Sequence, residues 1–154
     1  MTTNMIPARA LPISGGAIAA RGYLFVSGLF LVLTGVVGFA LDTSFPTSSA
    51  EVADSHGHIF GILETNGWHN LAALSIGLPA VAVALKLPQV CPVFALITGV
   101  LNLGVFTSFA LWSPDSFLFA SNAGDQVLHA LLALGGIGFG ALGLASDART
   151  SASA

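Results

Sequence analysis

The sequence predicts an all-α protein, a four-transmembrane-helix bundle assembled from two parallel two-helix repeats. Three observations carry that expectation. Of the 154 residues, 55% are hydrophobic and only 7% charged, against about 25% charged in a soluble domain. Four long apolar runs carry no formal charge, and each is near the roughly 20 residues that cross the hydrocarbon core as a helix. The few basic residues fall only in segments that four crossings place on one side. The runs are continuous, with no alternation, and too few to close a barrel, so strands are excluded as the spanning elements.

Residues 1–21 form a short N-terminal segment with Arg9 and Arg21 as its charges. The run that follows is too long for a cleaved signal peptide and reads as an uncleaved anchor. The membrane domain, residues 22–145, contains spans at about 22–41, 69–87, 91–112 and 127–145. Between the first two lies a long connection, residues 42–67. Its Pro46 and Ser/Thr cluster (TSFPTSS) predict irregular chain, and its apolar HIFGIL piece predicts a short interfacial helix. The tight KLPQVCP connection joins spans two and three. Between spans three and four, Ser113 to Gly124 is short, with an FLF piece expected to rest on the membrane surface. The tail is residues 146–154, and its part after Asp147 (ARTSASA) is small and polar and is expected to be disordered.

Orientation follows from charge. Arg9, Arg21, Lys86 and Arg149, all four basic residues, lie on one side, which the positive-inside rule assigns to the cytoplasm. Asp42, Glu51, Asp54, Glu64, Asp115 and Asp125 fall in the opposite connections; only Asp147 does not. The expected location is the cell (inner) membrane, multi-pass, with both termini cytoplasmic. The net charge of -3 offers no basic patch, which excludes nucleic acid as a partner.

Helices in lipid associate through close backbone approach and interhelical hydrogen bonds. The fourth span supplies GGIGFGALG, with Gly136, Gly140 and Gly143 on one face; the first carries Gly28, Thr34, Gly35 and Gly38. Pro79 should kink the second span near Ser75. Asn102, the one amide deep in a span, is expected to bond a neighbouring helix. Cys91, the single cysteine, reads as a small apolar filler near a helix start.

The halves resemble each other. TGVVGFAL in the first span parallels TGVLNLGVF in the third, and Asn66-Gly-Trp-His69 parallels Asn122-Ala-Gly-Asp125. A pseudo-two-fold axis along the membrane normal would then bring Asn66, His69, Asn122, Asp125 and His129 together near the outer surface. Three readings of that cluster stay open. In one, Asn66 and Asn122 are N-caps, Asp125 favours the helix dipole and His129 bonds Asp125. In the second, the cluster is a pocket for a headgroup, quinone or small ligand. In the third, His69 and His129 hold a metal or haem, with His56, His58 and Glu64 as weak outer-loop candidates. The spacing matches no closed zinc pattern, and no cofactor is assigned.

At NGWHN…GL and N-x-x-D-x-x-x-H the chain resembles a bacterial family of small four-helix membrane proteins, common in actinobacteria, known only as a domain of unknown function. The similarity spans roughly Arg21 to Leu144. In that family the second helix opens with Asn-x-x-His and carries another His four residues on; the fourth opens with an Asn and an Asp ahead of Leu-His. Asn66, His69, Asn122, Asp125, Leu128 and His129 match, but Ala73 stands where the second histidine would be, which removes one ligand of any bis-histidine arrangement. The resemblance implies four helices in a bacterial inner membrane and brings no activity. No GxSxG, HExxH or P-loop occurs, and no carboxylate pair lies within a span. The sequence thus points away from an enzyme, toward association with lipid, a membrane-protein partner or a second copy. The alternative is a ligand-, haem- or quinone-binding protein using Asn66, His69, Asn102, Asn122, Asp125 and His129.

Overall fold

The computed structural model describes residues 13–54, 57–111 and 118–152. The expectations for Arg9, His56, Trp112 and Asp115 lie outside them. Long helices are α1 (Gly15–Leu41), α3 (Gly67–Lys86), α4 (Cys91–Leu111) and α5 (Ala123–Ala152); the short helix α2 (Ser49–Ala53) and strands β1 (Gly57–Ile59) and β2 (Leu63–Thr65) lie between α1 and α3. All four long helices are long and apolar enough to cross a membrane. The protein is a small multi-pass membrane protein with an all-α bundle.

Local chemistry sets the helix ends. Ser14 caps α1, its hydroxyl accepting from the Ala17 N–H at 3.1 Å, so the helix starts ahead of the expected residue 22. Asn66 caps α3 by accepting from the His69 N–H at 3.0 Å. α3 runs unbroken through Pro79 to Lys86. A 3₁₀ turn, Pro88–Val90, then leads directly into α4. α5 continues to Ala152. The expected disorder after Asp147 is therefore corrected: Thr150 and Ser151 return their hydroxyls to the Ser146 and Asp147 carbonyls, and the polar tail stays helical to Ala152.

The connection after α1 departs from expectation. Its Ser/Thr stretch is irregular to Ser48 and leads into α2, where Ser48 caps the Glu51 N–H and Glu51 returns a carboxylate to the Thr47 N–H at 2.7 Å. The HIFGIL piece is a β-hairpin and no helix: Gly57 pairs with Thr65, His58 with Glu64 and Ile59 with Leu63. Phe60 and Gly61 both have positive φ, and the Ile62 N–H closes the turn on the Ile59 carbonyl. Alternation explains the choice. Gly57 and Ile59 are buried on either side of exposed His58, and Leu63 and Thr65 are buried on either side of half-buried Glu64, a two-residue period that a helix would not satisfy.

The bundle is inverted relative to a soluble core. Buried positions are small, such as Ala20, Ala80, Ala84 and Ala95, while Val26, Leu33, Leu131 and Leu134 face outward. α1 packs on α3 with Gly28 against Gly77 and Ala80, and α4 packs on α5 with Gly99 against Gly136. A Cβ on Gly136 would lie 2.6 Å from the Gly99 Cα, so that crossing requires glycine. α1 also packs along α5, and Tyr23 donates its hydroxyl to the Leu132 carbonyl at 2.6 Å. By contrast, α3 and α4 barely touch. At the opposite end from the hairpin, the Arg21 guanidinium donates to the Ala84 carbonyl at 2.7 Å and fastens α1 to α3.

Candidate functional site

The hairpin is anchored on the bundle by buried polar side chains. Asn70, 1% exposed, donates to the Asp42 carbonyl at 2.9 Å and accepts from the Thr65 hydroxyl. Gly38 leaves the space that the Asn70 amide occupies. Asp125, also 1% exposed, accepts through Oδ2 from the Glu64 N–H of β2 and from the Asn122 N–H at 3.1 and 2.9 Å. Asn122 caps α5, accepting from the Gly124 and Asp125 N–H groups. Asp125 Oδ1 and Ser121 Oγ are buried without a partner among the described residues.

The first turn of α3 also holds the chain leading into α5. Asn66 donates to the Leu118 carbonyl at 2.9 Å, and His69 Nδ1 lies 3.0 Å from the Ala120 carbonyl. This draws Phe119 inward to line a cavity, so the expected surface position of the FLF piece is corrected at that residue.

A second histidine is held the same way. His129 Nδ1 lies 2.9 Å from Asn102 Oδ1, while Asn102 donates Nδ2 to the Thr98 carbonyl at 2.8 Å. The expected His129–Asp125 bond is not made; Asn102 takes that place, reaching from α4 to α5. The two imidazole rings are nearly parallel, with centroids 6.2 Å apart and planes 17° apart.

These bonds define the protons. A carbonyl oxygen cannot donate, so His69 Nδ1–H must be the donor to Ala120. The Thr98 contact turns the Asn102 oxygen toward His129, so His129 Nδ1–H is likewise the donor. In the neutral ring each Nε2 is then an acceptor. Among the described residues each imidazole bonds through Nδ1 alone, and neither Nε2 has a hydrogen-bond partner.

Both rings border a cavity of about 110 Å³ in the gap between α3 and α4, with Ala72, Ile76, Leu101, Val105, Phe109 and Phe119 among its walls. Both also border a smaller cavity of about 30 Å³ with Asp125, Asn70 and Thr65. Of the residues singled out in the sequence, His69, Asn102 and His129 meet at the larger cavity and Asp125 adjoins the smaller. Asn66 and Asn122 act as caps. His58 and Glu64 face each other across the hairpin at 3.8 Å, and the described residues contain no cluster of three or more metal-ligating side chains.

Thr65 and Asn70 escaped the sequence reading. Asn70 sits next to His69 in NGWHN, where Asn66 already explained the helix start. The signal was Gly38, whose missing side chain makes sense only against a group on another element.

A sequence family described as a domain of unknown function, DUF4383, matches residues 21–142. No curated protein and no solved structure matches the chain.

Proposed function

The chain belongs to the DUF4383 family, and from that premise we propose that it is a non-catalytic membrane protein that binds a lipid-soluble small molecule in the α3–α4 cleft. One observation carries the reading: two imidazoles with unpartnered Nε2 atoms border an apolar cavity between α3 and α4, two helices that barely touch. Lipid can satisfy the apolar walls, but it cannot satisfy the nitrogens, and unpaired polar groups in an apolar cavity are costly. A cavity of about 110 Å³ is close to that which admits a single aromatic ring.

Association with lipid or a membrane-protein partner is the second reading. It was motivated by small-residue faces, but Gly136, Gly140 and Gly143 are used against α4 and the start of α1. Gly15, Gly22, Gly104 and Gly138, with open space beside them, are the helix glycines that remain for a partner or second copy. The ligand reading therefore leads. We place the protein in the cell (inner) membrane with both termini cytoplasmic, because Arg21, Lys86 and Arg149 gather at the end opposite the hairpin.

The test is a titration of the protein in lipid nanodiscs with decyl-fluorobenzene, followed by ¹⁹F NMR. A saturable shifted signal is expected, and Ala72→Trp, which fills the cleft from its α3 wall, should weaken it by at least about tenfold. A signal that rises without saturation, or that ignores Ala72→Trp, would sink the proposal.

A further inference from the structure

We infer that the cleft selects a hydroxylated aromatic ring, a phenol or hydroquinone carrying an aliphatic tail, over its oxidised quinone and over a plain hydrocarbon. The inference rests on the cleft being a ligand site and adds the chemical class of the ligand.

Size and hydrogen-bond polarity together carry it. The cavity holds one ring, and the gap between α3 and α4 offers a lateral route by which a tail could remain among lipid chains. Phe109, whose ring centroid lies 6.4 Å from that of His129, and Phe119 supply aromatic walls. The unpartnered polar atoms of the residues that border the two cavities share one character. In the neutral rings His69 Nε2 and His129 Nε2 are acceptors, because each ring spends its Nδ1 proton on a protein oxygen. Asp125 Oδ1, beside the adjoining small cavity that both rings also border, is a third acceptor without a partner among the described residues. An occupant that satisfies such a site must donate. A hydroquinone brings two O–H donors on a ring of the right size. A benzoquinone brings only lone pairs and would set them against the lone pairs of the imidazoles. An acyl chain fills the space and leaves the nitrogens unpaired. A hydrated cation could meet the acceptors but would lose its water against Leu101, Val105 and Ile76.

Three probes sharing a decyl tail test this: a hydroquinone, the corresponding benzoquinone and decylbenzene. Each competes with decyl-fluorobenzene for the unaltered protein in nanodiscs under anaerobic conditions. The hydroquinone should bind at least about tenfold more tightly than the benzoquinone, on the order of one net hydrogen bond. Nitrogen-15 NMR of histidine-labelled protein provides a readout that needs no variant. The Nε2 resonances of His69 and His129 should move on adding hydroquinone and stay in place with decylbenzene. In His129→Leu the preference for hydroquinone over decylbenzene should fall. Equal or tighter binding of the benzoquinone would overturn the donor inference and leave the cleft as a ligand site. Failure of all the probes to bind would overturn both.

Discussion

At the scale of single residues, the decisive groups are polar and each occupies space that a neighbour concedes. Gly38 shows the dependence most clearly. A Cβ there would lie 2.6 Å from Asn70 Cγ and 2.9 Å from Thr65 Oγ1, and Asn70 cannot retreat without releasing the Asp42 carbonyl. Gly38→Ala should therefore destabilise the protein by about 1–3 kcal/mol, the usual cost of overpacking a tight site. Thermal unfolding in detergent would show it as a lowered midpoint, and an unchanged midpoint would refute the role given to the Asn70–Thr65 pair. Asn102 illustrates the opposite situation, a residue whose importance was visible at once. An amide in an apolar run needs a partner, but the partner's name, His129, depends on how α4 crosses α5.

The element that most departs from its sequence reading is the hairpin. Apolar content alone makes HIFGIL resemble a surface-lying helix; the alternating burial of Gly57 and Ile59 about His58, and of Leu63 and Thr65 about Glu64, makes it a pair of strands. Phe60 holds a φ of 55°, a conformation that asparagine tolerates far better than an aromatic residue. Phe60→Asn should accordingly stabilise the hairpin by roughly 0.5–1 kcal/mol, measured as slower hydrogen exchange at the Ile62 amide, which closes the turn. Faster exchange would mean that the Phe60 ring, exposed as it is, holds the turn by dipping into the lipid interface. The long helices were easier to foresee, since length and unbroken apolarity define a span. Their ends were less legible, because α1 begins where Ser14 can cap it and α5 ends well past its apolar portion.

For the whole molecule, the informative feature is unequal packing between two similar halves. α1–α3 and α4–α5 are each tight pairs, and α1 lies along α5. If the halves were related by a two-fold axis, α3 and α4 would pack just as closely. They do not, and the cavity occupies that place. Orientation also belongs to this scale. The free thiol of Cys91 is buried, so an added cysteine reports with little background. Ile62→Cys should be modified by a membrane-impermeant maleimide on intact cells, and Ser151→Cys only after lysis. The reverse pattern would invert the assigned topology.

The sequence by itself determined that the chain lives in lipid, that four helices cross it, and which side chains are polar enough to matter. These follow from composition and run length, which act residue by residue through transfer from water to hydrocarbon. Only the tertiary structure decided that Asn102 and the Ala120 carbonyl fix the protons of two histidines, that Asn70 fills the space at Gly38, and that the gap lies between α3 and α4. Hydrogen-bond direction and packing depend on distances between residues far apart in the chain, and no local pattern encodes them.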